Sequence, residues 1–137
     1  MSSIDEAQRS ATEAIASPGD WLTGAQRIAA WRETRAADTN ELDQERRRAL
    51  SPNAVSGSHA GTAELSAPAM EVVHRTASDP GRLTRSWAAE QIAAIGEETY
   101  TELIGVTAIV TVIYRFQRAM GRPELPLPTP AAGEPTQ

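Results

Sequence analysis

The chain has 137 residues and a formal net charge of −5, it contains no cysteine, and all thirteen of its basic residues are arginine. The absence of lysine excludes Schiff-base chemistry, and the absence of cysteine excludes disulfides, thiolate metal sites and thiol catalysis. The acidic balance gives no electrostatic preference for nucleic acid or an anionic membrane, so neither is expected as a partner. The length predicts one domain with a single modest core.

Three helix patterns occupy the first third of the chain. Residues 3–16 are weakly amphipathic, and a second helix has Thr23 as its expected cap and turns Ile28 and Trp31 to the core. A third helix is predicted over 41–50, with acidic residues first and basic residues last, as the helix dipole favours. The run Arg46–Arg48 is interpreted as a solvated surface paired with nearby acids rather than as a nucleic-acid site.

Residues 51–62 are small, polar and turn-forming, which predicts a loop, and loops often carry sites. Pro68 marks the start of a fourth helix that ends at 79–81, and Thr84 is the expected cap of a fifth that ends at Gly96.

The longest apolar stretch, 97–120, predicts a helix that is apolar nearly all round and is therefore buried as the core helix. Its uncharged run between Glu102 and Arg115 is shorter than the roughly 18–20 residues that a membrane span needs. The proline-rich segment 124–137 is predicted to be an extended tail, which leaves 1–123 as one helical domain. The sequence therefore predicts an all-α fold of about six helices.

The predicted core helix needs more cover than the other helices can give, because the first has a thin apolar stripe and the third is mostly charged. This predicts a homo-oligomer in which a symmetry mate covers the remaining apolar face, with Trp31 and Trp87 as anchors. The first residues carry early acids and no apolar signal-peptide core, which predicts a cytoplasmic location.

The segment from Ala69 to Pro123 resembles the alkyl hydroperoxidase D and carboxymuconolactone decarboxylase superfamily. The resemblance lies in a helix with Val-Val-His-Arg at 72–75, the turn Ser-Asp-Pro-Gly-Arg-Leu-Thr at 78–84, the acidic helix start at 96–103 and the ending Arg-Ala-Met-Gly-Arg-Pro at 118–123. It implies an all-helical fold that assembles into oligomers. In the peroxidase-like branch, a glutamate and a histidine relay protons to a Cys-x-x-Cys pair.

By this resemblance Glu33 corresponds to the glutamate, and the redox pair falls near Thr39 and Leu42. Neither is a thiol, so thiol peroxidase activity is not expected. Cysteine-free decarboxylase-type members carry out proton transfer on a small lactone acid, so the resemblance leaves acid–base catalysis on a small carboxylated substrate open.

Two residues are candidate proton carriers. His59 lies in the predicted loop, where it is either an acid–base group in a cleft or a solvated side chain. Glu33 is either a buried general base or a surface partner of the arginines at 46–48. His74 is interpreted as a partly buried histidine hydrogen-bonded to a neighbouring carbonyl.

Four residues are candidates for substrate binding. Arg82 and Arg85, beside Asp79, could hold a carboxylate, or Asp79 and an arginine could simply staple the turn. Tyr100 and Tyr114 lie on one helix face and could line one pocket or pack in the core. No metal or other cofactor is expected, because no His-x-x-x-His spacing occurs.

Two function classes follow. The first is a cysteine-free acid–base enzyme that uses His59 and Glu33, and the second is a non-catalytic helical scaffold that self-assembles or serves a partner. A deep pocket that contains both side chains would favour the enzyme, and their separation on open surface would favour the scaffold.

Overall fold

Six α-helices build the chain, and no β-strand occurs in residues 2–137, which the computed structural model describes. The predicted all-α fold of about six helices is therefore confirmed. The helices are α1 (Ser3–Ala16), α2 (Gly24–Ala36), α3 (Glu41–Arg48), α4 (Ala67–Ser78), α5 (Arg85–Ile95) and α6 (Glu97–Ala119). Two single-turn 3₁₀ helices, Pro52–Ala54 and Pro80–Arg82, lie in the connections.

Side-chain caps begin the first five helices, and they confirm the predicted caps of α2 and α5. In each case a hydroxyl or amide oxygen accepts a hydrogen bond from the backbone N–H three residues later, which satisfies an otherwise unpaired donor. The capping residues are Ser2, Thr23, Asn40, Ser66 and Thr84. Between α5 and α6 the chain turns at Gly96, whose φ of +89° is a conformation that other residues rarely adopt.

The longest helix, α6, packs against both α2 and α4, and α5 covers a further part of it. Its buried side consists of residues at helical spacing: Leu103, Val106, Thr107, Val110, Ile113 and Gln117. This face meets Trp31 from α2 and Val72 and Val73 from α4, all nearly inaccessible to solvent. The core is thus a three-helix packing, with α3 held on the outer side of α4.

The opposite side of α6 is exposed within this chain, and covering of that side by a symmetry mate stays a prediction. Val112 is 68% exposed and Ile109 is 48% exposed, whereas Ile113 is only 8% exposed and belongs to the core. The apolar residues of α6 therefore form two faces, one in the core and one on the surface.

The proline-rich segment after α6 lies extended along the body of the protein. Its backbone donates from Ala131 to the carbonyl of Ala16 at 2.8 Å and from Gln137 to the carbonyl of Asp20 at 2.9 Å. These bonds attach the tail to the connection between α1 and α2.

Candidate functional site

His59 lies in the connection between α3 and α4 and is only 6% exposed. Its backbone N–H donates to Glu71 Oε1 at 2.8 Å, and its ring Nδ1 lies 2.8 Å from the same oxygen. Glu71, on α4, therefore draws an irregular segment into the interior. The solvated-loop interpretation of His59 is wrong.

His74 is held between two carboxylates and is only 1% exposed. Its Nε2 lies 2.9 Å from Glu33 Oε1 on α2, and its Nδ1 lies 2.5 Å from Asp43 Oδ2 on α3. The predicted bond to a neighbouring carbonyl is therefore wrong, because both ring nitrogens face carboxylate oxygens. The interpretation of Glu33 as a surface partner of the arginines at 46–48 is also wrong, because the main partner of Glu33 is His74.

Asp43 joins the two histidines into one network. It is fully buried, and its second oxygen, Oδ1, lies 3.0 Å from His59 Nε2, in an ion-pair contact that is poorly aligned for a hydrogen bond. The two imidazole rings stack with centroids 4.0 Å apart. We call this connected set the buried relay: Glu33, His74, Asp43, His59 and Glu71.

Arg46 binds Glu71, at the end of the buried relay opposite Glu33. Its Nη1 donates to Glu71 Oε2 at 2.9 Å, and its Nη2 donates to the carbonyl of Gly57 at 2.8 Å. The residue is 7% exposed, so the prediction of a solvated arginine run is wrong at this position. A buried carboxylate such as Glu71 needs this partner because an unpaired charge in the interior is strongly destabilising.

Three members of the buried relay, Asp43, Glu71 and His59, have shifted pKa values. Burial raises the pKa of Asp43, but contacts with His59 and His74 outweigh it and lower the pKa to about 2. Burial likewise raises the pKa of Glu71, but the ring and backbone of His59 lower it to about 2. Burial lowers the pKa of His59, but Asp43 and Glu71 together raise it to about 9.

These shifts give the network a defined pH range. His59 has an ordinary pKa of 6.5, so its pairing stabilises the fold fully below that pH, and the stabilisation is lost as pH rises through about 9. Asp43 and Glu71 act in the opposite direction, because their contribution is lost as pH falls through about 2. Asp43, Glu71 and His59 are therefore charged across the neutral range.

A cavity of about 380 Å³ opens on the relay, and we call it the relay cavity. Glu33, His59 and His74 form its polar wall, and Leu42 and Met70 add an apolar wall. The Glu33 side chain is 15% exposed, more than either histidine, so it is the relay's most accessible member on this side. The structure thus brings together the two predicted proton carriers, Glu33 and His59, in one pocket.

The predicted arginine clamp lies elsewhere. Arg82 donates to Asp79 Oδ2 at 2.7 Å and to the carbonyl of Ala49 at 2.6 Å, so it staples the turn to the end of α3. Arg85 is exposed in the first turn of α5. Their role in holding a substrate stays a prediction.

The two predicted tyrosines meet different neighbours. Tyr100 packs near Trp87, with ring centroids 6.3 Å apart. Tyr114 donates its hydroxyl to Asp38 Oδ2 at 2.7 Å. Since fourteen residues of helix separate them by about 21 Å, a single small ligand would not touch both.

Three relay residues also offer possible metal ligands, Asp43, His59 and His74, with one ligand atom from each lying within 4.8 Å of the others. Two ligands of a tetrahedral zinc ion, each about 2.0–2.1 Å from the metal, lie about 3.3 Å apart. The 2.5 Å between His74 Nδ1 and Asp43 Oδ2 is a hydrogen-bond distance, so this pair would have to separate to hold an ion. We therefore interpret the cluster as a proton network.

Sequence reasoning missed Asp43, Glu71 and Arg46. Asp43 and Arg46 lie three residues apart on α3, where acidic and basic neighbours normally indicate a solvated face. The available signal was Glu71, the lone carboxylate of α4, between Met70 and Val72 and three residues before His74. A charge at such a position requires a buried partner.

Comparisons of the chain with protein-family models, curated proteins and solved structures found no match. The superfamily resemblance therefore stays a prediction from the sequence. Within the described residues, no helix combines the length and apolar character needed to cross a membrane.

Proposed function

We propose that the protein is an acid–base enzyme that moves a proton on a small carboxylated substrate bound in the relay cavity. The observation that carries this proposal is the placement of Glu33 in the cavity wall with its Oε1 bonded to a buried histidine–aspartate pair. A carboxylate supported in this way is a suitable general base, because the network behind it holds its geometry and compensates changes in its charge.

The proton transfer uses the two oxygens of Glu33 differently. Oε1 is occupied by His74 Nε2 at 2.9 Å, whereas Oε2 has only a distant contact with Arg32 Nε at 3.5 Å. Oε2 therefore takes a proton from a carbon next to a substrate carbonyl, and the electron pair of the broken C–H bond moves to the carbonyl oxygen as an enolate. Return of a proton to that carbon, or to another, completes exchange or isomerisation without any further reactant.

The resemblance to the carboxymuconolactone decarboxylase group supports this chemistry and the carboxylated substrate class. In the structure Leu42, one of the two expected thiol positions, borders the same cavity as Glu33 and His59. The cavity thus has the apolar wall of a binding pocket where a peroxidase would carry a thiol. The proposal assigns the charge of His59, in the cavity wall, to attract the substrate carboxylate, since neighbouring Asp43 and Glu71 keep that ring protonated.

The test is hydrogen–deuterium exchange of candidate substrates in D₂O, followed by proton NMR. The panel pairs small keto acids and unsaturated lactone acids with their methyl esters, so that the carboxylate is the only variable. We expect the wild-type protein to accelerate exchange beside the carbonyl of at least one acid and to act more weakly on its ester. Exchange no faster than with the heat-denatured protein for every acid, or equal rates for acids and esters, would contradict the proposal.

A second candidate function, self-assembly, is favoured by the exposed side of α6. Its outward residues follow helical spacing and contain no charge over about two turns: Gly105, Ala108, Ile109 and Val112. We call them the α6 stripe. Exposed apolar stripes of this kind on a monomer commonly mark an interface.

We infer that the partner is a second copy of the chain, and the charges at the ends of the helix support this. Glu97 and Arg115 are both exposed and lie eighteen residues apart, five full helical turns, so they share one face. If two α6 helices pair antiparallel about a two-fold axis that is level with residue 106 along the helix, Glu97 of each copy comes close to Arg115 of the other. Parallel pairing would bring like charges together.

Changing Val112 to Glu is therefore expected to convert a dimer or higher oligomer into monomers, as measured by sedimentation velocity. Ala94→Glu, which adds the same charge to an exposed position on α5, should leave the assembly intact. Glu97→Arg and Arg115→Glu should each weaken the dimer and restore it when combined. A wild-type protein that sediments as a folded monomer at micromolar concentration would rule out this assembly.

A further inference from the structure

A second cavity lies on the other side of Glu71 from the relay cavity and has a volume of about 310 Å³. Its walls come from α3, the segment after it, α4 and α5, and we call it the arginine cavity. Two guanidinium groups border it, those of Arg46 and Arg75, with Trp87 and Ser86 on the α5 side. It shares only Glu71 and Arg46 with the relay network.

Arg75 lies on α4 and is 2% exposed, an unusual position for an arginine. Its Nη1 donates to Asn53 Oδ1 at 2.7 Å, and its guanidinium carbon lies 5.5 Å from the centre of the Trp87 ring. Among residues 2–137, its Nε and Nη2 have no hydrogen-bond partner. These two nitrogens form the side of the guanidinium that binds a carboxylate with two parallel hydrogen bonds.

No carboxylate is hydrogen-bonded to Arg75 among residues 2–137, although the charges of Glu71 and Asp79 favour its charged form. Both oxygens of Glu71 are already occupied, Oε1 by His59 and Oε2 by Arg46. Glu90 also borders the cavity, but it is exposed to solvent at the rim. Burial, and then the charge of Arg46, lower the pKa of Arg75.

A buried charge without a partner is destabilising, whereas an anion that supplies two hydrogen bonds removes that cost. We propose that the arginine cavity is a binding site for a small organic carboxylate, which the free Nε–Nη2 side of Arg75 holds with two hydrogen bonds. The two nitrogens are covered by neighbouring atoms, so on this proposal the side chains around them move aside to admit the carboxylate, while Nη1 keeps its bond to Asn53. The volume suits a molecule of a few heavy atoms, and Trp87 provides an apolar surface for its carbon skeleton.

This site does not depend on the proposed catalytic function, because Arg75 makes no contact with Glu33 or His74 among the bonds that form the relay. A ligand here can act as a second recognition group or as an effector. The following experiment uses Glu33→Gln to keep the two sites apart, since that change alters the relay cavity and leaves the arginine cavity complete.

The test is isothermal titration of the full chain with acetate, succinate and benzoate, with phosphate and chloride as comparison anions. We expect saturable binding of at least one carboxylate, unchanged in Glu33→Gln and weakened about tenfold or more in Arg75→Lys, which keeps the charge but not the paired donors. Arg48→Gln is the matched control for arginine loss on the surface, because Arg48 is exposed at the end of α3, and it should bind as the wild type does.

Binding can also be followed through Trp87, whose fluorescence should change on titration in the wild type and not in Trp87→Phe. Asn53→Ala provides a second variant that removes the bond orienting Arg75 without changing any charge, and it should also weaken binding. Absence of saturable carboxylate binding to the folded wild type would overturn the proposal. Equal affinities for chloride and carboxylates, or an unchanged affinity in Arg75→Lys, would overturn it as well.

Discussion

Replacing Asp43 with asparagine is expected to lower the free energy of unfolding by about 3–5 kcal/mol, the range for breaking a buried ion pair by removing one partner. The carboxylate is fully buried and faces a nitrogen of each histidine, at 2.5 Å for His74 and 3.0 Å for His59. Asparagine has the same shape, but it lacks the charge and turns an N–H₂ group towards one of these rings. The helical core remains, yet α3 loses its main polar attachment to α4.

Chemical denaturation followed by circular dichroism and by tryptophan fluorescence measures this loss. Glu45→Gln is the matched control, because Glu45 is exposed two residues later on the same helix and should change stability by less than about 0.5 kcal/mol. A double-mutant cycle with His74→Asn would show how much of the loss belongs to the Asp43–His74 contact. An Asp43→Asn protein as stable as the wild type would mean that Asp43 does not hold the network together.

Glu33→Gln is expected to reduce deuterium exchange of the best acid substrate by about a hundredfold or more, the usual contribution of a general base. Glutamine keeps the size of the side chain and can still accept a bond from His74 Nε2, but it cannot take up a proton. The effect should therefore fall on the rate, with a smaller change in stability than for Asp43→Asn. NMR of the substrate in D₂O gives the rate directly.

The control for this substitution lies in the same cavity. Glu41 also borders the relay cavity but is exposed and outside the relay, so Glu41→Gln should retain the wild-type rate. Equal loss in both variants would indicate that the cavity's overall charge matters and not a base at Glu33. An unchanged rate in Glu33→Gln would exclude the proposed mechanism.

The helices could be predicted because their determinants are local. Thr23 and Thr84 cap the helices that follow them, and Gly96 separates α5 from α6 through its positive φ. Which side of α6 the chain itself covers could not be predicted, because apolar residues on both sides of a helix do not distinguish a core face from an exposed one. Ile113 and Val112 are neighbours in sequence, yet one is in the core and the other on the surface.

The site could be predicted only in part, because its members come from four separate segments of the chain. The chemistry of Glu33 and His59 makes them candidates in the sequence, which also allows each of them a position on the open surface. The structure places both in the wall of the relay cavity instead. Asp43 was not chosen, because an aspartate among charged neighbours on a short helix is usually solvated. Its burial follows from the packing of α3 on α4, a long-range contact that no local pattern encodes.

The central claim is that the buried relay is one charged network, and the titration of His59 tests it most directly. The protein has only two histidines, so ¹⁵N-labelled imidazole signals can be followed from pH 5 to 10 and assigned with His74→Asn. We predict that His59 keeps both ring protons at neutral pH and titrates with a pKa of about 9, falling in Glu71→Gln because one of its two carboxylate partners is lost. A His59 that titrates near 6.5, unaffected by Glu71→Gln, would contradict the account.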